Sequence, residues 1–358
     1  MKRTAGSCDG CCAFFVYRLP MLVGEGRPHD CGRGRALRPE FLAGWRRGPG
    51  GGCFDPKMRR QYDAKVAATA IPKTKIKLLH SEKLAGLTWL VHAFSTRGGG
   101  TSRLYGGNAL NLGFTAHDSR AAVERNRALF LEKLGVATKG KSWPLVTLRQ
   151  IHSDLIHYVD RAAETPLAGD GLITDTPGLV VAVQAADCLP VIVVDRKRRA
   201  VGVFHAGWRG TVKRIVEKGV GEMRKHFGSD PRNLVAAIGP GVRGCCYDVG
   251  EEVRTRFEAQ FAYGASLFRE VKESDPVREK YPLLFLTARA PGHSELPGKL
   301  FLDLVEANRR QLLDAGLSAK SIDTTAPCTA CHPELLFSYR AEKGVTGRMI
   351  GAAGIGER

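Results

Sequence analysis

From about residue 75 onward, apolar residues recur with the two spacings typical of strands and of amphipathic helices. Short runs rich in β-branched residues predict buried strands over residues 87–94, 145–148, 179–183, 191–194, 200–204 and 234–238. Apolar positions three and four residues apart predict helices over 121–134, from 211 to about 223, and over 300–315. Strands and helices mix without the strict alternation of a doubly wound sheet, so the pattern predicts one α/β domain over residues 74–358.

The first 57 residues follow neither period. They hold eleven of the 42 glycines and many arginines, and such a segment buries too little apolar surface to offset its ordering entropy. We therefore predict a disordered extension over residues 1–73, with Met58 as a plausible true start. Cys8, Cys11 and Cys12 supply only one half of a zinc-ribbon pattern.

Composition narrows the class of protein. The apolar content of 43% suffices for a core, and no apolar run reaches the roughly 18–20 residues that span a bilayer. The formal net charge of +18 suits anionic partners such as phosphate or nucleotides. No segment concentrates this charge among aromatic residues, which disfavours nucleic acid as the partner. Without an export signal we predict a cytoplasmic protein with reduced thiols.

Three short segments each carry one side chain that can bind a metal, at the edge of a strand-like run. They bring His152, Cys188 and His205. Two imidazoles and one thiolate suit zinc, and three protein ligands leave the fourth tetrahedral position open, as in catalytic sites. Taken singly, each of these residues is more simply explained as part of the core. Asp187 could orient a ligand imidazole, or could merely form a turn.

Glycine-rich segments bring further candidates. Gly210 and Thr211 are predicted to open a helix, where free N–H groups and Arg209 could bind an anion, although a structural ion pair is equally plausible for this arginine. A second glycine-rich loop contains Arg97 and leads to Asn111, which could hydrogen-bond a ligand. A third, over residues 238–247, ends at Tyr247, and a predicted strand over 337–340 ends at Arg340.

The other cysteines of the domain predict less. Cys245 and Cys246 are adjacent, so their side chains point apart and make a poor chelate; packing or redox sensitivity is the prediction. Cys328, Cys331 and His332 match the spacing of haem attachment, which we reject because no export signal precedes them, and a redox pair stays open.

The segments 150–152, 186–190, 205–211, 238–240 and 337–340, together with 94–97, 111–113 and 302–308, resemble in order the YfiH-type laccase-domain proteins, also called the polyphenol oxidase or purine nucleoside phosphorylase family. The resemblance covers residues 75–358. It implies a domain of layered sheets and helices similar to the catalytic domain of cytotoxic necrotizing factors, and zinc held by His152, Cys188 and His205. It also implies phosphorolysis of adenosine, inosine and methylthioadenosine, with adenosine deamination as a further activity. Ala341 stands where a second arginine commonly follows Arg340.

This reading assigns roles to the remaining candidates. Arg209, Arg97 and Arg340 would hold phosphate, and Asn111, Tyr247 and Asp170 would contact substrate. Deamination would use a metal-activated water with Asp187 or Asp170 as acid or base.

Three alternatives stay open. Copper-dependent phenol oxidation is disfavoured, because multicopper sites need clustered histidines and the chain has no His-x-His. Cys188 could instead be the nucleophile of a hydrolase with His205 as its base. A non-enzymatic RNA-binding protein is the third alternative.

Overall fold

The computed structural model describes residues 75–138, 140–162, 165–271 and 298–356. The predicted disordered extension, the proposed start at Met58 and the half zinc-ribbon pattern all lie outside the described residues. Among the residues that are described, no helix is both long and apolar enough to cross a bilayer.

A five-stranded mixed sheet has the order β1-β2-β17-β9-β6. Its central strands pair antiparallel, and β6 is added parallel to β9. The strands are β1 (Leu78–Leu79), β2 (Leu90–Ser95), β6 (Leu145–Thr147), β9 (Val180–Ala185) and β17 (Met349–Ile355).

A six-stranded mixed sheet has the order β16-β12-β10-β11-β8-β7. Its centre is an antiparallel hairpin in which Leu189 pairs with Ala206. The strands are β7 (Ile156–Tyr158), β8 (Gly171–Thr174), β10 (Leu189–Asp195), β11 (Ala200–Ala206), β12 (Leu234–Ile238) and β16 (Ile322–Asp323).

The two sheets pack face to face. Val181 and Val183 from one sheet share a buried cluster with Ile192, Val194 and Val203 from the other. Because side chains alternate between the two faces of a strand, the residues between these valines point to the outer faces and need a second apolar cover.

Helices supply that cover, so the domain has four layers. One helix packs on the outer face of the five-stranded sheet, against Val180 and Ala182. Others cover the six-stranded sheet around Phe204. The helices are α1 (Glu82–Ala85), α2 (Arg120–Lys133), α3 (Trp208–Val212), α4 (Ile215–Phe227), α5 (Glu251–Gln260) and α6 (Leu304–Asp314). The predicted mixed α/β class is confirmed.

Small sheets complete the described fold. The order of a three-stranded sheet is β13-β15-β14, and β4 and β5 form a pair. These strands are β4 (Ala137–Thr138), β5 (Lys141–Ser142), β13 (Asp248–Val249), β14 (Phe268–Val271) and β15 (Lys299–Leu302). The strand β3 (Gly98–Ser102) lies outside these sheets and forms single bridges to Ala109. Single 3-10 turns span Pro231–Asn233, Gly264–Leu267 and Ala319–Ser321.

Three local predictions were wrong. The helix expected from Thr211 begins at Trp208 with Gly207 as its N-cap, and it breaks at Arg214, whose φ of 62° ends α3 before α4 starts. The helix expected from residue 300 starts at Leu304, because the preceding residues pair as β15. Residues 337–340 form no strand; they run from an irregular segment into a turn that begins at Tyr339.

Candidate functional site

The topology brings the three predicted metal ligands to one end of the sheet sandwich. His152 lies on the connection from β6 to β7, and Cys188 lies on the connection from β9 to β10. Both connections cross from the five-stranded to the six-stranded sheet. His205 lies near the end of β11, opposite Pro190 at the start of β10, so the two crossing segments and the strand end meet.

The three side chains form a compact set of metal-capable atoms. One ligand atom from each of His152, Cys188 and His205 lies within 4.8 Å of the others. The Cys188 Sγ is 3.9 Å from His152 Nε2, and the two imidazole rings meet edge to face with centroids 5.0 Å apart. His205 is buried and His152 is exposed, so the set opens towards solvent on one side. This donor set fits a single zinc ion with a position left for substrate.

Asp170 holds both histidines in place. Its Oδ1 is 2.8 Å from His205 Nδ1. A carboxylate accepts, so Nδ1 donates, and Nε2 is left as the ring nitrogen for a metal. The same carboxylate accepts from the backbone N–H groups of Ile151, His152 and Ser153 and from the Ser153 hydroxyl. Asp170 is fully buried, and it therefore acts as a positioning residue rather than a contact for substrate.

The electrostatics of the ligand set favour a thiolate. Burial alone would raise the pKa of Cys188, but His205 and His152 lower it to about 6. Burial alone would lower the pKa of His205, but Cys188 and Asp170 raise it to about 9. Burial would raise the pKa of Asp170 too, yet hydrogen bonds from His205 and Ser153 lower it to about 2. Without a metal, these shifts describe a Cys188 thiolate paired with a protonated His205 beside an ionised Asp170, and a bound cation would take the place of the His205 proton on Nε2.

Gly207 leaves room for the ligand sulfur. Because Leu189 pairs with Ala206, Cys188 and Gly207 are neighbours at the open end of the hairpin. A Cβ on Gly207 would lie 2.8 Å from Cys188 Sγ and 3.2 Å from His152 Cδ2. The backbone φ of Gly207 is −77°, which any residue adopts, so the requirement for glycine here is steric.

The backbone is strained at two of the site residues. His152 has a φ of 55° and Asp187 a φ of 91°. Non-glycine residues seldom adopt such values, and those that do cluster at functional sites. The hydrogen bonds of Asp170 hold the His152 turn in this conformation.

Asp187 anchors the wall of the site rather than a ligand imidazole. One of its oxygens accepts from the hydroxyls of Thr329 and Ser338, at 2.6 and 2.7 Å, and the other accepts from the Arg340 N–H at 2.7 Å. The predicted orienting role therefore belongs to Asp170, and Asp187 positions the turn that carries Arg340.

A cavity of about 1150 Å³ opens over the ligand set. Its lining is cationic and aromatic, with Asp187 as the one carboxylate among the described residues that line it. The cationic lining residues are Arg127, Arg149, Arg209, Arg340, Lys343 and Arg348, and the aromatic ones are Phe114, Trp208, Tyr247 and Tyr339.

Of the predicted anion contacts, Arg209 and Arg340 line this cavity. The Arg209 guanidinium lies 4.3 Å from the centroid of the Trp208 ring. Arg340 pairs with Asp248 and lies 5.1 Å from the Tyr247 ring centroid. Because α3 has only five residues, the predicted anion site at a helix N-terminus reduces to the side chain of Arg209.

Two other predicted contacts lie elsewhere. Arg97 is buried, pairs with Glu342 at 3.0 Å and stacks on Phe337. Asn111 is fully buried, and its amide bridges Gly113, Asp118 and the Arg348 N–H. Neither lines the cavity, so both hold the loops behind it.

Arg149 and Arg348 are cavity residues that the sequence analysis missed. Arg149 directly precedes the Gln150-Ile151-His152 segment, and this adjacency was the available signal. Arg348 lies just before β17, and its position over the Tyr339 ring depends on tertiary packing.

The remaining cysteines of the domain converge. The sulfurs of Cys245, Cys246, Cys328 and Cys331 all lie within 4.8 Å of one another. The expectation that the side chains of Cys245 and Cys246 point apart was therefore wrong, because both sulfurs lie close to that of Cys331.

Comparison with known proteins agrees with the resemblance seen in the sequence. Residues 91–356 match the family model described as multi-copper polyphenol oxidoreductase laccase. The chain is 32% identical over 277 residues to the purine nucleoside phosphorylase YlmD of Bacillus subtilis, covering 75% of this chain and 89% of that protein. It is also 32% identical over 259 residues to adenosine deaminase RL5 of an unknown prokaryotic organism, covering 70% and 88%.

A solved structure matches as well. The hypothetical protein YfiH of Bacillus licheniformis superposes with a TM-score of 0.65 at 30% identity, covering 80% of this chain and 98% of that one. The predicted YfiH-type resemblance is confirmed.

Proposed function

This chain belongs to the multi-copper polyphenol oxidoreductase laccase family, and we propose that it is a zinc-dependent purine nucleoside phosphorylase. Its proposed substrates are adenosine, inosine and methylthioadenosine with phosphate, and adenosine deamination is a proposed side activity. The names of the relatives, a phosphorylase and a deaminase, support this choice of reaction class.

One cavity carries the proposal, because it joins the His152, Cys188 and His205 set to a cationic and aromatic lining. Phosphorolysis needs a metal-capable set, a cationic lining and an aromatic lining in one place. Phosphate must be held beside the ribose C1′, the base must be oriented, and the charge that develops as the glycosidic bond breaks must be stabilised.

The ligand set supports zinc as the resident metal. His205 offers Nε2, His152 offers a ring nitrogen, and Cys188 offers a sulfur whose pKa is already lowered by its neighbours. When bound, zinc would supply Lewis-acid stabilisation of negative charge on the substrate. Asp170 keeps His205 in the required tautomer, and Gly207 leaves room for the sulfur.

The cationic lining supports phosphate as the second substrate. Arg209 is exposed on α3, and it lines the same cavity as Arg340, whose guanidinium lies over the Tyr247 ring. The one lining carboxylate, Asp187, is committed to three hydrogen bonds. Planar guanidinium groups bind phosphate through paired N–H donors, so the arginines are assigned to this role.

The aromatic lining supports a planar base. Phe114 and Tyr339 line the cavity and are 51% and 52% exposed, so their rings are open to a ligand bound there. Tyr247 is half-buried and lines the same cavity as Cys188, and burial raises the pKa of its hydroxyl, so it stays protonated. Stacking on such rings orients a purine.

In phosphorolysis, an oxygen of hydrogen phosphate forms a bond to the ribose C1′ while the bond from C1′ to the purine nitrogen breaks. The proton that the phosphate gives up ends on the purine nitrogen, so the products are ribose 1-phosphate and the neutral base. Asp170 and Asp187 are both committed to internal hydrogen bonds, so we assign them to positioning rather than to proton transfer.

Copper-dependent phenol oxidation is the weaker candidate, although the family description names it. Within the described ranges only two groups of side chains could hold a metal, one of them made of sulfur alone. Neither has the clustered histidines of a multicopper centre.

The lowered pKa of Cys188 favours the thiol nucleophile as a second candidate. A free thiolate would be alkylated rapidly with or without zinc, whereas a zinc ligand would be protected until chelation. Alkylation of Cys188 at the same rate in both states would favour the thiol enzyme.

The main test uses Cys188→Ala and Arg209→Ala. Cys188→Ala and chelation should each abolish metal retention at this site and turnover; full activity without metal would refute the assignment.

Arg209→Ala should raise the KM for phosphate roughly tenfold to a hundredfold, because a charge-assisted hydrogen bond is worth about 1.5–3 kcal/mol. The KM for nucleoside should change less. Arg224→Ala, an exposed arginine on α4, is the matched control.

A further inference from the structure

Four cysteine sulfurs meet outside the cavity already described. Cys245 and Cys246 lie in the turn that follows β12, and Cys328 and Cys331 lie in the turn that follows β16. The Cys331 Sγ is 3.5 Å from that of Cys245 and 3.3 Å from that of Cys246. All four sulfurs lie within 4.8 Å of one another.

Backbone pairing holds these two turns together. Gly241 and Cys328 form a parallel bridge, and the Thr329 N–H donates to the Gly241 carbonyl at 3.1 Å. The N–H groups of Cys246 and Tyr247 both donate to the Arg243 carbonyl, which closes a tight turn. The convergence of the sulfurs is therefore set by the main chain.

The sulfur spacing fits one tetrahedral ion. With metal–sulfur bonds of about 2.3 Å, the sulfurs of a zinc site lie roughly 3.8 Å apart. Two of the separations here are 3.3 and 3.5 Å, and none exceeds 4.8 Å. A disulfide needs sulfurs only about 2.05 Å apart. Cys331 is nearly equidistant from Cys245 and Cys246, so no pair is singled out.

The choice of ion follows from the ligands. Four thiolates select zinc over hard cations such as magnesium or calcium. In a multi-iron cluster each sulfur binds an iron at the periphery, which would set the sulfurs farther apart than they lie here. Because four protein ligands leave no open position, such an ion is structural.

We propose that Cys245, Cys246, Cys328 and Cys331 bind one structural zinc ion, distinct from the ion at Cys188. The ion would join the turn of Cys245 and Cys246 to the turn of Cys328 and Cys331, and both turns support the wall of the cavity. Tyr247 directly follows Cys246, and Asp248 pairs with Arg340. The Thr329 hydroxyl, one residue after Cys328, donates to Asp187. The ion thus joins the turn that leads into Tyr247 to the turn of Cys328 and Cys331, from which Thr329 contacts Asp187.

The test measures zinc per chain and the absorption of the Co²⁺-loaded protein, on the full chain. Cys331→Ser should lose one zinc ion relative to the parent and should lose the strong sulfur-to-cobalt charge transfer of this site. Cys188→Ala should lose a different ion, and the double variant should lose both. Ala330→Ser, which changes the same turn without removing a sulfur, should retain both. Cysteines before residue 57 are present in every variant, so they cancel in the differences.

Equal zinc content in Cys331→Ser and its parent would overturn the proposal. If Cys331→Ser fails to fold, alkylation of the parent decides. Cys245, Cys246 and Cys331 are not buried, so zinc should protect all three together and a chelator should release them together. Reaction of these thiols without a chelator, or only after a reductant, would contradict a zinc site. Cys331→Ser should still catalyse phosphorolysis, with a raised KM for nucleoside. That result would show that the four cysteines support the cavity but are not needed for the reaction itself.

Discussion

Asp170→Asn removes one acceptor oxygen from a carboxylate whose two oxygens together accept five hydrogen bonds. The Oδ2 side accepts from the Ile151 N–H and from the N–H and hydroxyl of Ser153, and the Oδ1 side accepts from the N–H of His152 and from His205 Nδ1. An amide has a single acceptor oxygen, which is best kept on the three-donor side. Its NH2 group then faces His205 Nδ1 and turns this nitrogen into the acceptor. The ring proton moves to Nε2, the nitrogen assigned to the metal.

The structure sets the size of the effect. Folding lowers the pKa of Asp170 from 3.8 to about 2, which corresponds to roughly 2–3 kcal/mol of stability. A depressed carboxyl pKa contributes fully at neutral pH and is lost only as the pH falls through the folded value. The asparagine variant should therefore be about 2–3 kcal/mol less stable at neutral pH, and its metal affinity should fall roughly tenfold to a hundredfold.

The assay pairs denaturant unfolding of the metal-free protein with zinc competition against a chromophoric chelator. Asp195→Asn is the matched control, because Asp195 is also fully buried, at the far end of β10. Its Oδ1 caps two N–H groups while its Oδ2 has no partner, so an amide fits there. The control should keep its zinc affinity. An Asp170→Asn variant with the parent's zinc affinity would show that this carboxylate does not orient His205.

Three further predictions follow from close contacts and burial. Gly207→Ala should weaken zinc binding at Cys188 in competition assays while leaving the fold intact, since only the sulfur and a ring carbon oppose the new methyl group. On α4, Gly219→Ala should lower the free energy of unfolding by about 1–3 kcal/mol because its methyl would meet an aromatic ring at 2.4 Å. Gly221→Ala, with open space, should raise it by about 0.5–1 kcal/mol; equal effects would refute the steric reasoning. Burial and His80 lower the pKa of His92 from 6.5 to about 4. Protonation of His92 thus favours the unfolded state. As the pH falls from about 6.5 to about 4, the free energy of unfolding should fall by roughly 3 kcal/mol, and His92→Gln should remove this pH dependence.

The strands were predictable because burial on both faces leaves continuous β-branched runs. The prediction over residues 234–238 coincides with β12 (Leu234–Ile238). The run over 200–204 gave the body of β11 but not its end at Ala206, because His205 is polar in sequence yet buried in the structure. A strand predicted from its hydrophobic pattern therefore ends too early when a polar, metal-capable residue lies at its end.

The helix starts failed for different reasons. The start of α6 had a readable signal, since the Asp303 side chain accepts from the Glu306 N–H and the Asp-x-x-Glu spacing is a capping pattern. The break between α3 and α4 had none. It is stabilised by the Arg214 side chain, which binds Glu217 and the distant carbonyl of Gln260.

The sequence was enough to predict the three metal-capable residues of the candidate site, but not the residues that hold them in position. His152, Cys188 and His205 could be found because each lies beside a strand-like run. The assignment of the orienting carboxylate to Asp170 depends on the pairing of β8 with β11, which places Gly171 opposite Phe204. The four-cysteine cluster likewise depends on β12 pairing with β16. Such long-range pairings leave no local pattern.

Phosphorylase activity is tested most directly by measuring ribose 1-phosphate formed from inosine by the zinc-loaded protein, with and without phosphate. Hypoxanthine and ribose 1-phosphate should form in equal amounts, only when phosphate is present, and Cys188→Ala should form neither. Release of base without phosphate, or undiminished ribose 1-phosphate formation by Cys188→Ala, would contradict this expectation.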